Sequence, residues 1–208
     1  MGTGRARSPA FRSLDFFPVK VREKQTEQSH LVIGGEGLTR GDDRRFAFGL
    51  LDHVLGGGMS SRLFQTIREE RGLAYAVYGF HYGHAESGMY GVYVGTTPTQ
   101  TGEVLSLVNA EFARVIEEGI TASELERAKS YTKGSLVLSA EDPNGRMVRL
   151  GRDEITGIEH LSLDETLARF ESVSLDDVHA VAKEVLGGPR VLGAVGPFTE
   201  ETLAEYVA

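Results

Sequence analysis

GGGMSSRLFQTIREERGLAYAVYGF, residues 56–80, reads as a loop, a helix and a strand in direct succession. Gly56, Gly57 and Gly58 give a backbone that can take positive φ and lie close to another chain, and Ser60 or Ser61 is placed to cap the helix that follows. That helix carries Leu63, Phe64 and Ile67 on one face, with Arg68, one turn after Phe64, at the edge of the apolar stripe. Gly72 stands where a helix-ending glycine is expected. Beyond it the side chains alternate, with Leu73, Tyr75 and Val77 on one side and Ala74, Ala76 and Tyr78 on the other.

The flanks extend this pattern. Upstream, residues 44–55 place Ala47, Leu50, Leu51, Val54 and Leu55 on one buried helical face, and residues 19–23 and 29–34 read as strands with a turn over 25–28. Downstream, residues 73–82 and 89–97 are alternating aromatic and β-branched runs around a hairpin loop at 83–88. Tyr78, Phe80, Tyr90 and Tyr93 in these runs are expected to serve packing. Residues 100–118 form an amphipathic helix stopped by Gly119. Capping boxes at Thr121/Glu124 and Ser162/Glu165, a related start at Ser174/Asp177, and Asp142 before Pro143 then mark four more helix starts. Residues 190–196 are a last strand, and 198–208 a frayed end or a terminal turn of helix. Residues 1–17 hold Arg5, Arg7 and Arg12 without periodicity and are expected to be a linker or extension, which leaves 18–208 as a single lobe. The order of elements predicts an α+β domain, an antiparallel-rich sheet with helices packed on one face.

Composition narrows the chemistry. A net charge of −8 over 208 residues argues against nucleic acid as the main partner. Cysteine is absent, so there is no disulfide, thiol nucleophile or cysteine zinc site. No apolar run approaches the ~20 residues of a membrane span and no signal peptide stands at the start, so the chain reads as soluble and cytoplasmic. Neither a G-x-S-x-G elbow nor a G-x-x-x-x-G-K phosphate loop is present.

The run GGGMSSRLFQTIREERGLAYAVY resembles the signature of the C-terminal half of the pitrilysin/insulinase family of zinc metallopeptidases, the inverzincins, to which the mitochondrial processing peptidases belong. The resemblance extends from about Pro18 to Pro197. It implies a processing-peptidase-like lobe, one of two that close like a clamshell around a chamber, with a zinc-bearing N-terminal lobe or subunit as partner and a peptide as substrate. It further implies that an arginine and a tyrosine seven positions apart project towards the active site, and Arg68 and Tyr75 have that spacing. The tyrosine hydroxyl would donate to the substrate carbonyl or tetrahedral oxygen, and the guanidinium to substrate backbone carbonyls. Gly56, Gly57 and Gly58 would contact substrate, although the run is shorter than the glycine-rich loop of some relatives.

In the family's N-terminal half the helix matching residues 44–55 bears H-x-x-E-H, two histidine ligands with a glutamate that activates water. Here the corresponding residues are Gly49, Leu50, Leu51, Asp52 and His53. One imidazole cannot hold a catalytic zinc, so His53 reads as structural and any zinc belongs to the other lobe. His81 and His84 have no third ligand nearby in sequence and are not read as a metal site either. The plainer alternatives are that Arg68 pairs with a carboxylate such as Glu69 or Glu70 of a neighbouring unit, that Tyr75 is a half-wet core residue, and that the glycines only end a helix. Two functions follow: a substrate-binding lobe inert by itself, or a non-catalytic peptide-binding or assembly subunit. Either is compatible with a homo- or heterodimer.

Overall fold

In the computed structural model, which describes residues 17–207, alternating side chains build a five-stranded sheet in the order β1-β5-β2-β4-β3. The strands are β1 (Val19–Glu23), β2 (Ser29–Glu36), β3 (Ala74–Gly83), β4 (Gly88–Thr96) and β5 (Arg190–Gly196). β1 and β5 run parallel, and the other three pairings are antiparallel. β1 and β2 follow each other in sequence but are not neighbours, because β5 enters between them from the far end of the chain. The linker expected over residues 1–17 lies, apart from Phe17, outside the described residues.

One sheet face carries the helices. Leu31, Ile33, Val92, Val94, Leu192 and Ala194 turn into the core, whereas Val32, Tyr78 and Val191 are exposed. Helix α1 (Arg45–Gly56) lies against β3, α6 (Leu175–Leu186) against β2, and α2 (Thr101–Glu118) against α6. Helices α3 (Ala122–Glu141), α4 (Pro143–Thr156) and α5 (Leu163–Glu171) form an outer layer, with α3 resting on α1 and carrying α4 and α5. A short α7 (Glu200–Leu203) closes against β1. Among the described residues no helix is long and apolar enough to cross a membrane.

The helix starts fall where capping chemistry puts them. Thr121, Ser162 and Ser174 each form a reciprocal box with Glu124, Glu165 and Asp177, and Asp142 accepts from the backbone N–H groups of Asn144 and Gly145 ahead of Pro143. Two expectations around residues 60–78 do not hold. The helix there is a π-helix, Phe64–Glu69, and the Ser61 hydroxyl does not cap it but donates to the Gly58 carbonyl at 2.6 Å. Leu63 and Ile67 are both fully buried, and over so short a stretch this spacing does not distinguish an α-turn from the wider π-turn, here closed by Glu70 N–H on the Gln65 carbonyl. In β3, Tyr75 does not share a side with Leu73 and Val77. Both of those are buried while Tyr75 is 58% exposed, because the register of β3 on β4 shifts between Ala74 and Ala76 and leaves Tyr75 as the extra residue of a β-bulge.

Candidate functional site

The segment that carries Arg68 and Tyr75 is held at both ends. At its start, α1 approaches β3 so closely that a Cβ on Gly56 would stand 2.2 Å from the Gly79 backbone nitrogen and 2.7 Å from its Cα. Gly56 is therefore buried in a helix-to-strand contact and offers no surface of its own. Gly57 donates its N–H to the His53 carbonyl and closes the helix, whereas Gly58 is exposed. Gln65 then ties the π-helix back by donating to the Met59 carbonyl at 2.6 Å.

A second anchor joins this segment to α3. Arg62 donates from Nε and Nη2 to the two carboxylate oxygens of Glu124, at 2.7 and 2.8 Å, in a pair that is largely buried. Glu124 also completes the capping box of α3, so one carboxylate fixes two elements. The hydrogen bonds from Arg62 are the main reason that its pKa falls from 4.5 to about 2. Sequence reasoning identified the box and missed the arginine, which lies 62 residues upstream.

Beyond the Arg62 anchor the chain turns at Gly72, whose φ of 63° suits glycine. Gly72 N–H donates to the Arg68 carbonyl at 3.1 Å and Leu73 N–H to the Ile67 carbonyl at 2.9 Å, so Arg68 closes one arm and Tyr75 opens the other. Arg68 is exposed, its guanidinium carbon 5.1 Å from the centre of the Phe64 ring, and it makes no ion pair among the described residues. The Tyr75 hydroxyl makes no hydrogen bond among them, and no hydrogen bond or cation–π contact joins the two side chains. Both groups are presented to the outside on backbone that departs from regular geometry, a π-turn under one and a bulge under the other.

The residues at the zinc-motif positions do other work. His53 stacks on Tyr131 of α3, ring centres 4.2 Å apart, and burial pulls its pKa below the usual histidine value. Asp52 reaches across to β3 and pairs with His81 Nδ1 at 2.9 Å. Nothing in the sequence signals that pair, since its members are 29 residues apart on different elements. Gly49 has no ligand atom, and no group of three or more His, Cys, Asp or Glu among the described residues could hold a metal ion. His81 and His84 do not converge, as one faces Asp52 and the other sits exposed in the hairpin loop. The described residues do not fit zinc.

Comparison with known proteins supplies context. The family description "Peptidase M16 inactive domain" matches residues 7–131. A protein named an uncharacterized zinc protease from Streptomyces coelicolor is 46% identical over 183 residues, which cover 88% of this chain and 40% of that protein. Another of the same description from Bacillus subtilis is 40% identical over 177 residues, 85% of this chain and 43% of the relative. The chain thus spans less than half the length of these curated relatives. The crystal structure of a peptidase M16 inactive domain from Pseudomonas fluorescens superposes with a TM-score of 0.79 at 25% identity, covering 87% of this chain and 44% of that one.

Proposed function

The chain belongs to the peptidase M16 family, as its inactive domain, and from this we propose that it is the substrate-binding lobe of a zinc metalloendopeptidase, completing a chamber whose metal sits in a partner lobe. The observation that carries the reading is the state of Arg68 and Tyr75. Both are exposed and, among the described residues, neither spends its polar group inside the protein. A structural arginine would be expected to have a carboxylate partner and a core tyrosine a buried ring; neither description fits.

Peptide hydrolysis leaves this lobe two tasks. The scissile carbonyl oxygen gains negative charge as its carbon becomes tetrahedral, and a donor aimed at that position lowers the barrier. The Tyr75 hydroxyl, held at the rim by the bulge, is that donor. A substrate lying extended also exposes backbone carbonyls on either side of the cleaved bond. Arg68 donates to these, its guanidinium braced on the Phe64 ring. Of the glycines, the exposed Gly58 and the adjacent Gly57 are the ones that can meet a substrate, and Gly56 supports them from below.

The test is a peptide-cleavage assay on the assembled enzyme, this lobe together with its zinc-bearing partner, with zinc measured in every sample. Arg68→Ala is expected to raise KM at least tenfold with zinc content unchanged, a loss of roughly 1.4 kcal/mol of binding. If the assembled pair binds peptide and cleaves none, the lobe serves as a peptide-binding or assembly module instead.

A further inference from the structure

We propose that the cleft between α1, the end of β3, α3 and α5 binds a small organic anion, a carboxylate carried on an aromatic or aliphatic body. It lies at the other end of β3 from Tyr75, six residues along, or about 20 Å at a rise of ~3.3 Å per residue. The cleft has a volume of about 330 Å³, at the lower end of the roughly 300–1,000 Å³ typical of small-ligand sites.

Its walls are apolar. Leu38, Phe46, Phe48 and Phe170 line it, and Phe46 meets Phe170 edge to face at 5.1 Å. Gly49 keeps it open: a Cβ there would meet only Phe170 Cε1, at 3.7 Å, so no close packing requires a glycine at this place in α1. An unbranched or γ-branched side chain fits the helix at least as well.

Its polar groups are donors left over. Arg45 donates Nη1 to the Asp42 carbonyl at 2.9 Å with Asp43 Oδ1 at 3.6 Å, while its Nε and Nη2 make no hydrogen bond among the described residues. Arg40 pairs through Nη2 with Asp153, and its buried Nε has no partner. His81 engages Asp52 through Nδ1, and its other ring nitrogen makes no hydrogen bond among the described residues. Three carboxylates face these groups, Asp153 on Arg40, Asp43 at the rim beside Arg45 and Asp52 behind His81, and each already lies against the basic side chain named with it. Burial, with repulsion from Arg40 and Arg169, draws Arg45 below the ordinary arginine range despite Asp43 and Asp153. A carboxylate accepts two hydrogen bonds from a guanidinium edge, and an aromatic or aliphatic body fills the phenylalanine wall; inorganic phosphate would satisfy the first demand only.

This inference does not rest on the peptidase reading, and its test needs no catalysis. The ¹⁵N-labelled chain is titrated with 3-phenylpropionate, with 3-phenylpropionamide and inorganic phosphate as comparisons. Saturable shifts are expected at Gly49, His81, Thr132 and Phe170, with a Kd on the order of a millimolar or tighter for the carboxylate. The amide and phosphate should each bind about tenfold more weakly or less. Gly49→Leu fills the cleft without disturbing the helix and should abolish the shifts, while Arg45→Gln, which removes the charge and the guanidinium edge but keeps a polar side chain, should weaken binding about tenfold. Equal binding of the amide, phosphate as good as the carboxylate, no saturable shift, or unchanged binding to a natively folded Gly49→Leu variant would each overturn it.

Discussion

Gly56 shows how one residue can read as one thing and do another. Three consecutive glycines suggested a loop open to substrate, yet the first is inside α1 with its Cα against the Gly79 backbone. A Cβ on residue 56 would meet main-chain atoms that cannot swing aside, so Gly56→Ala should destabilise by about 1–3 kcal/mol, read from urea or thermal unfolding. Gly58→Ala, whose Cβ would have nothing nearer than His53 Cε1 at 3.9 Å, should stay within about 0.5 kcal/mol of wild type. Composition could not separate the two, because the difference lies in what passes above each glycine. Arg68 and Tyr75 could be picked out of the sequence only through a family resemblance; that neither makes a side-chain hydrogen bond or ion pair among the described residues is visible only in three dimensions. The Asp52–His81 pair and the clasp of Arg62 on Glu124 were beyond sequence reading, as each joins residues that only the fold brings together.

At the scale of elements, local chemistry was legible and irregularity was not. Capping boxes, the proline after Asp142 and strand alternation placed most boundaries within a residue or two, because each is a short-range interaction written in adjacent residues. The π-turn and the bulge were missed because tertiary demands create them: Ile67 must stay buried beside Leu63 while the chain reverses at Gly72, and the extra residue of β3 leaves Tyr75 outside the ladder. Glu124 gives this region a signature in pH. Its folded pKa, about 2, lies below the ordinary 4.5, so its contribution to stability is complete above pH 4.5 and is lost as pH falls towards 2. Glu124→Gln should cost about 2 kcal/mol at neutral pH, and the gap to wild type should narrow through that acid window, followed by urea midpoints. A gap independent of pH would mean that the ion pair does not hold the segment to α3.

The molecule as a whole is one sheet with helices on a single side and a hydrophobic core running from Val19 to Leu203. That layering followed from the order of predicted elements, but strand order did not. Placing β5 between β1 and β2 depends on long-range pairing, and a short turn between two strands suggests adjacency that the sheet does not honour. The chain covers 40% and 43% of two curated zinc proteases, and its described residues do not fit the metal, so the proposed activity belongs to an assembly. Tyr75→Phe removes one hydroxyl that makes no hydrogen bond among the described residues, which makes it the most direct test of this account. In the reconstituted enzyme, at full zinc occupancy, kcat should fall by about 10²-fold or more with KM little changed. Cleavage at the wild-type rate would contradict the assignment of Tyr75 to the reaction, and with it the claim that this lobe takes part in the chemistry.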